Sequence, residues 1–235
     1  MNISHDNGIA ISTDDVKDFK ITFCNENEII KGLLKKDFLP LFEETIMDVG
    51  GGTADILSEI VPEKNVIQLD VLDFSDTSIP EMHTRIIGDF LDTNLLKGLP
   101  MITTLFMSHV HQFIDYDLKK LKNAITQINA KRIILVEDVN DDMLGEVMRF
   151  SLETFPNANP EVLIEGFPFG YRKIKSVPFT ATLTCSTFIE LTKQCLYLMD
   201  LEHSQENFDK MSQFLELKLM EPTFTINQEI NVYEK

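Results

Sequence analysis

The sequence is short of cysteine, with three such residues among 235. Cys24, Cys185 and Cys195 form no Cys-x-x-Cys pair and are odd in number, so neither a disulfide framework nor a zinc site is indicated. Acidic residues are plentiful but scattered, as on a solvated surface, and we predict no metal site from them. We expect all three cysteines to be reduced and structural.

Basic residues are also scarce, since 21 Lys and Arg stand against 38 Asp and Glu and the formal net charge is −17. Nucleic-acid binding draws its affinity from clustered Lys and Arg that release counterions from phosphates. This balance argues against a nucleic-acid partner. Two short basic runs, residues 31–36 (KGLLKK) and 119–123 (KKLKN), are better explained as solvated helix faces.

Long apolar runs are missing as well. No stretch approaches the roughly 20 residues that a membrane-spanning helix needs, and the opening MNISHDNGIAISTDD is polar and acidic, unlike a targeting leader. We therefore expect a cytoplasmic protein without membrane association. With 43% hydrophobic and 25% charged residues, the composition is ordinary for one globular domain. We expect residues 1–24 to form a leader, which could close over a ligand, and residues 25–235 to form the domain.

The sequence does contain a repeated alternation of helices and short apolar strands. An amphipathic helix is predicted over 25–42, with Pro40 ending or kinking it. A glycine-rich turn follows, and then helical spacing at 54–62 and 115–129. This alternation predicts an α/β fold with a doubly wound, parallel sheet. The predicted strands after the turn are 65–71 (NVIQLDV), 84–90 (TRIIGDF), 102–110 (ITTLFMSHV) and 131–138 (KRIILVED).

The last third of the chain changes character. Residues 167–185 are rich in aromatic residues, Pro and Thr, which favours part of a cap or lid. The final TFTINQEINVYE, residues 223–234, alternates as two strands around a turn at Asn227–Gln228. Helical spacing predicts three helices in this part, at 140–155, 186–202 and 206–219.

The stretch IMDVGGGTADI, residues 46–56, carries the strongest motif. Asp48, the glycines that follow it, Thr53 and Asp55 match Asp-x-Gly-Gly-Gly-Thr-x-Asp, which resembles the second phosphate loop of the actin and heat-shock-chaperone ATPases. The stretch also resembles Asp-x-Gly-x-Gly-x-Gly, the first motif of class I S-adenosylmethionine-dependent methyltransferases, with Ala54 in place of the last glycine. By letters alone the ATPase loop is the better match.

The surroundings favour the methyltransferase motif. An actin-type loop lies in a β-hairpin after an earlier phosphate loop, whereas only 47 residues precede Asp48 and helical spacing follows the turn. A dinucleotide loop of the form Gly-x-Gly-x-x-Gly would need glycine at position 55, which is Asp. In a strand-loop-helix unit an acid at the end of the next strand holds ribose hydroxyls. Asp70 lies 22 residues after Asp48, where that acid is expected.

Over residues 45–138 the chain resembles class I methyltransferases, and within them the small-molecule O-methyltransferases. The resemblance implies a Rossmann-like sheet of seven strands, mostly parallel, with helices on both faces and a C-terminal antiparallel hairpin, which TFTINQEINVYE fits. It also implies a substrate-cap insertion at about 139–203. The N-terminal dimerisation domain of the plant-type enzymes is missing, and a homodimer is left open. The matching pieces are DVGGG (48–52), LDVLDF (69–74), GDF (88–90), HQFID (111–115) and ILVED (134–138).

The resemblance implies S-adenosyl-L-methionine as cofactor and methyl transfer to an oxygen or nitrogen of a small molecule. Asp48 would bind the amino end of the cofactor and Asp70 its ribose, while the glycines let the backbone approach. Plain structural roles stay open for these residues. The glycines could form only a tight turn, Asp70 a strand-end cap, Asp89 a turn acid and Phe90 a core aromatic. The remaining cofactor contacts implied are Gly50, Gly51 and Gly52 at the methionine part, Val71 and Phe90 around the adenine, Asp89 at its amino group and Ser108 near the sulfonium.

The prediction of a catalytic base for the methyl acceptor depends on HQFID. This stretch resembles the His-x-Trp-x-Asp string that supplies a general base in plant-type O-methyltransferases. His111 is the catalytic candidate and His109 the reserve, because histidine titrates nearest neutrality. Both could instead cap the next helix or line the pocket. A methyltransferase-like protein that binds without catalysis therefore stays an alternative. The predicted acceptor contacts are His111, Glu137, Phe169 and Tyr171.

Overall fold

The computed structural model describes residues 3–4, 10–11, 24–109, 118–139, 141–158, 168–199 and 201–235. Two short strands, Ile3–Ser4 and Ala10–Ile11, pair with each other apart from the main sheet. The main sheet of the described chain has seven strands. These are β1 (Thr45–Val49), β2 (Asn65–Asp70), β3 (His83–Ile87), β4 (Thr104–Ser108), β5 (Arg132–Asp138), β6 (Arg172–Thr184) and β7 (Thr223–Glu234).

The strand order is β3-β2-β1-β4-β5-β7-β6. All neighbouring pairs from β3 to β5 are parallel, whereas β7 is antiparallel to both β5 and β6. The predicted α/β fold, a doubly wound and mostly parallel sheet, is confirmed. The order reverses between β1 and β4, which is the switch point where sheets of this kind bind ligands.

Helices connect the strands and cover the sheet. The first helix passes through three helix types and ends just after Pro40, within a 3-10 turn, as predicted, because proline lacks the backbone donor that would continue the helix. None of the helices within the described ranges combines the length and apolarity needed to cross a membrane. The helices are α1 (Glu26–Leu33, continued by a π-helix Leu34–Phe38 and a 3-10 turn Leu39–Leu41), α2 (Asp55–Ile60), α3 (Thr93–Lys97), α4 (Leu118–Ile128), α5 (Met143–Thr154), α6 (Phe188–Leu198) and α7 (Gln205–Lys218).

The parallel strands are buried on both faces, which explains their continuous apolar runs. Alternate residues such as Met47 and Leu135 pack on one face with α3 and α4. Their neighbours, such as Ile46 and Val136, pack on the other face with α1 and α2. A third apolar cluster joins the far ends of β6 and β7 to α5, α6 and α7.

The prediction of two strands within residues 223–234 is wrong, because this segment is the single strand β7. Its pairing with β6 and β5 continues through Asn227 and Gln228, and the Asn227 backbone N–H is bonded to the Asp142 carboxylate. No glycine stands there to favour a tight reversal. The antiparallel pair expected at the C-terminus is instead β6 with β7, with α6 and α7 between them.

Residues 172–184, expected within a substrate cap, belong to the sheet as β6. Pro178 is tolerated because β6 is an edge strand, where a missing backbone donor costs little. The β6–β7 pair continues to Thr184 and Thr223, beyond Asp138 at the end of β5. This projecting part and the helices packed on it rise above the edge where the parallel strands end.

Candidate functional site

The parallel strands β1 to β5 all end along one edge of the sheet, the carboxyl edge, at Val49, Asp70, Ile87, Ser108 and Asp138. Ligands of open α/β sheets bind outside this edge at the switch point. Most of the residues predicted to bind a cofactor lie here. The structure therefore brings them to one place in spite of their spread along the chain.

The turn after β1 is built on left-handed backbone, with φ of 68° at Gly50, 52° at Gly52 and 69° at Ala54. Glycine adopts such angles without steric cost. Gly51 is required for a different reason, since an added Cβ would lie 2.7 Å from Oδ2 of buried Asp48. The turn therefore passes directly over the Asp48 carboxylate.

The glycine turn is fastened to the end of the next strand. The Asp70 carboxylate accepts the N–H of Gly52 at 3.0 Å through Oδ2 and the N–H of Leu72 at 2.8 Å through Oδ1. Gly50 donates to the Leu69 carbonyl at 2.8 Å. The turn then opens α2 at Asp55. The strand-loop-helix prediction is confirmed, and the hairpin of the actin-type alternative is contradicted.

The predicted adenine contacts differ in their surroundings. Val71 is exposed beside the end of β2. Asp89 is exposed and its Oδ1 accepts the N–H of Leu91 at 2.8 Å. Phe90 is buried in the cluster between the sheet and α3–α4, so the structure gives it the core role. An aromatic residue that the prediction missed, Phe74 of the LDVLDF string, is buried with its Cζ 3.9 Å from the Cβ position of Gly52.

Ser108, the last residue of β4, is buried, and within the described ranges its Oγ has no hydrogen-bond partner. A buried hydroxyl without a partner costs about 1–3 kcal/mol. Its strand neighbour on the same face, Phe106, packs toward α1 and α2. The Ser108 hydroxyl is thus an orphaned polar atom at the carboxyl edge, next to the switch point.

His109 follows Ser108 and joins a buried polar network. Its Nε2 lies 2.9 Å from Glu26 Oε1 and 3.3 Å from Gln228 Nε2, and its Nδ1 lies 3.7 Å from Asp138 Oδ2. Gln228 Nε2 also donates to Asp138 Oδ1 at 2.8 Å. Glu26 and Gln228 were not predicted from the sequence, because helical spacing gave Glu26 only the role of a helix-start acid.

The start of α1 is held close to this network. Asn25 Oδ1 accepts the N–H of Thr182 in β6 at 2.7 Å, and Cys24 pairs with Leu183. Burial, and next the Glu26 carboxylate, raise the pKa of the Cys24 thiol to about 12. Cys24 is therefore an un-ionised core residue, in line with the structural role predicted for it.

The predicted acceptor contacts are not all brought to this edge. Tyr171 donates its hydroxyl to the Ala130 carbonyl at 2.6 Å, just before β5 begins and so at the opposite edge. Burial raises the pKa of Tyr171 to about 12. Phe169 packs on the same cluster, with Lys122 Nζ 5.8 Å from its ring centre. Both aromatics are structural here, because the aromatic-rich segment leads into a sheet strand.

Of the two other predicted acceptor contacts, Glu137 is among the described residues and His111 is not. Glu137 is the next-to-last residue of β5, at the carboxyl edge, where its Oε2 accepts from Asn231 Nδ2 at 2.7 Å. It points to the face opposite Asp138, since successive strand residues alternate. His111 lies outside the described residues and stays a prediction. Among the described residues, no group of three or more His, Cys, Asp or Glu side chains could hold a metal ion.

Comparison with known proteins gave matches in structure and none in sequence: neither a protein-family model nor a curated protein matches the chain. A cyclopropane-fatty-acyl-phospholipid synthase-like protein from Lactobacillus casei aligns with TM-score 0.58 and 9% identity, over 89% of this chain and 90% of its own. An S-adenosylmethionine-dependent methyltransferase from Anabaena variabilis gives 0.56 and 11%, over 89% and 84%. Another from Archaeoglobus fulgidus gives 0.51 and 19%, over 89% and 94%.

At these identities the likeness is one of fold. The seven-stranded mixed sheet, its antiparallel C-terminal pair and the flanking helices are shared across nearly the whole chain. The protein therefore has the class I fold of S-adenosylmethionine-dependent methyltransferases.

Proposed function

We propose that the protein is an S-adenosylmethionine-dependent methyltransferase that methylates an oxygen or nitrogen of a small molecule in the cytoplasm. The observation that carries this proposal is the glycine turn fastened to Asp70 at the carboxyl edge of a sheet with this strand order. The three cysteines are free and buried, which supports a reducing compartment. The resemblance of the motifs to small-molecule O-methyltransferases supports oxygen as the atom methylated.

The residues at the edge fit the implied cofactor. Left-handed backbone at Gly50 and Gly52, and the missing Cβ of Gly51, leave the turn able to approach the methionine part above Asp48. The Asp70 carboxylate accepts the amide N–H groups of Gly52 and Leu72, and as a strand-end acid beside the turn it would also hold the ribose hydroxyls. The orphaned Ser108 hydroxyl would gain a partner near the sulfonium.

The bound cofactor would supply an electrophilic methyl group on a sulfonium. The contribution of the chain is then mostly positional, because it must align the acceptor with that methyl group and exclude water. Val71 and Asp89, exposed beside the ends of β2 and β3, would contact the adenine. The net charge of −17 supports a small-molecule acceptor over a nucleic acid.

A calorimetric titration with S-adenosylmethionine, S-adenosylhomocysteine and ATP tests the proposal. We expect both sulfur compounds to bind and ATP not to bind. A folded protein that binds neither sulfur compound would contradict the proposal, and ATP binding would restore the ATPase alternative. Binding without turnover on any acceptor tested would favour the non-catalytic alternative.

The Asp70→Ala variant tests the ribose contact. Loss of a charged acceptor costs about 1.5–3 kcal/mol, so we expect affinity for S-adenosylhomocysteine to fall by roughly 10-fold to 100-fold. Asp73→Ala is the matched control, because Asp73 follows the same strand and its Oδ1 accepts the N–H of Ser75, at 2.9 Å, and not that of the glycine turn. Full affinity in Asp70→Ala would remove the ribose assignment.

His111 is the proposed base for the acceptor, with His109 as the reserve. Once an acceptor is found, His111→Ala separates the two residues: unchanged turnover would remove His111 from the reaction. The network around His109 supports a role for that residue in any case.

A further inference from the structure

Glu26 and His109 are in close contact, largely shielded from solvent, between the first turn of α1 and the residue that follows β4. The distance from Glu26 Oε1 to His109 Nε2 is 2.9 Å, and each side chain is 12% exposed. A charged acceptor at this distance makes a strong hydrogen bond with an N–H donor. The contact therefore fixes a proton on Nε2 of the ring.

Gln228 is a second polar neighbour of the same ring nitrogen, at a longer distance. Its amide nitrogen Nε2 carries two N–H donors and lies 3.3 Å from His109 Nε2, so it would bond to that ring nitrogen only if the nitrogen carried no proton. The same amide donates to Asp138 Oδ1 at the shorter distance of 2.8 Å. The Glu26 carboxylate is the charged group and lies closer to His109 Nε2, at 2.9 Å, so it outcompetes the Gln228 amide and favours hydrogen on Nε2.

The backbone of His109 is itself strained. Its φ is 50°, in the left-handed region that residues other than glycine adopt uncommonly. Strain of about 1–3 kcal/mol persists only where surrounding contacts impose it, and it occurs mainly at functional sites. The Glu26 contact on one side and the Asp138 carboxylate on the other are the surroundings that hold the ring in place.

A plain explanation for Glu26 is that it complements the dipole of α1, as any acid in a first helical turn does. Glu28 fills that role at the surface, where it pairs with Lys31 at 2.9 Å. A dipole role gives no reason for burial, whereas Glu26 is buried against His109. Burial of a carboxylate is costly unless it is paired, which makes the contact with His109 the better explanation.

We propose that Glu26 is a positioning residue, which holds His109 at the candidate acceptor site in the tautomer with hydrogen on Nε2. This inference depends on the proposed methyl transfer for its use. In that tautomer Nδ1 is the ring atom that takes a proton, and it faces Asp138. As the acceptor bonded to the methyl carbon, the carbon–sulfur bond of the donor would break and S-adenosylhomocysteine would leave. The proton of the acceptor would pass to Nδ1, and the resulting imidazolium would lie between two carboxylates.

The test uses the nitrogen NMR spectrum of the histidine rings in ¹⁵N-labelled full-length protein at neutral pH. His109→Gln assigns the His109 signals. We expect the wild type to show the Nε2–H tautomer, and Glu26→Leu to lower the ratio of the two tautomers by roughly tenfold. Glu26→Gln keeps a carbonyl acceptor and should retain the tautomer. Glu28→Leu is the matched control from the same turn and should leave the ring signals unchanged.

A thermal double-mutant cycle keeps the test decisive if Glu26→Leu folds poorly. We expect Glu26→Gln with His109→Gln to shift the unfolding midpoint less than the sum of the single variants, because the residues are in contact. A wild-type tautomer in Glu26→Leu, or additive midpoint shifts, would overturn the inference. Neither measurement uses S-adenosylmethionine, so failure here is distinct from failure of the calorimetric test of the methyltransferase proposal.

Discussion

Asp70 accepts the N–H of Gly52 at 3.0 Å, so the last residue of β2 holds the turn that follows β1. The two strands are parallel neighbours, and this side chain closes the gap between their ends. One carboxylate therefore shapes the loop and would also contact a ligand there. We therefore expect ligand affinity and local stability to change together at this residue and at the turn residues.

Gly51→Ala should weaken both stability and ligand binding. The new Cβ would meet Asp48 Oδ2 at 2.7 Å, so the turn or the buried carboxylate must shift. We expect a loss of about 1–3 kcal/mol in the free energy of unfolding, measured in urea, and weaker S-adenosylhomocysteine binding by calorimetry. Gly32→Ala is the control, because nothing lies within 4 Å of its Cβ position in α1. That variant should gain roughly 0.5–1 kcal/mol, and equal effects in the two variants would contradict the prediction.

Ala54→Gly should be nearly neutral for stability. Relief of the left-handed conformation at φ 69° gains about 1–2 kcal/mol. Loss of a buried methyl group costs about 0.8 kcal/mol, and glycine's greater freedom in the unfolded chain costs roughly 0.5–1 kcal/mol. Gly52→Ala takes on the left-handed cost of about 1–2 kcal/mol and recovers only roughly 0.5–1 kcal/mol from the unfolded chain, so it should lose up to about 1.5 kcal/mol. Urea unfolding compares the two, and a change beyond about 2 kcal/mol in Ala54→Gly would be inconsistent with this account.

Ser108→Ala should have opposite effects on stability and binding. Removal of a buried hydroxyl that lacks a partner among the described residues should leave the free energy of unfolding unchanged or raise it by about 1 kcal/mol. Affinity for the methyl donor should fall, since Ser108 lies at the proposed sulfonium position. Thr104→Val on the same strand is the control, because its hydroxyl donates to the Leu41 carbonyl at 3.0 Å. It should lose roughly 0.5–1.5 kcal/mol without affecting donor affinity.

His83 should make the protein less stable in mild acid. Burial lowers the pKa of His83 from 6.5, and Nε2 lies 3.1 Å from the Val61 carbonyl. The unfolded chain therefore binds more protons, so this contribution is present above pH 6.5 and is lost as the pH falls through the folded value. His83→Gln should flatten the decline of unfolding free energy between about pH 8 and pH 5. His203→Gln, at an exposed position, should not.

The β1–β2 half of the site could be predicted because its signals are local. The acid, the glycines and the helical spacing after them lie within a few residues of each other, and Asp70 ends the next apolar run. Parallel strands then bring both ends to one edge. Phe90 shows the limit, because an apolar residue beside a turn has the same sequence signal whether it contacts a ligand or the core.

The other half could not be predicted, because its contacts are made between distant segments. Glu26 and Gln228 look like a helix acid and a turn residue until α1 and β7 are placed beside β4 and β5. The strand β6 could not be predicted from the sequence either. Pro178 and its aromatic neighbours favour a loop until the strand is known to lie at the edge of the sheet.

The network of Glu26, His109, Asp138 and Gln228 has a consequence for biosynthesis. Its members are spread from the first described helix to the last strand, so it cannot assemble while the chain is still being translated up to Gln228. Until then the apolar face of α1 and the ends of β4 and β5 lack their final neighbours. The nascent chain must therefore be translated through Gln228 before this part of the site exists, and apolar surface left exposed until then favours aggregation.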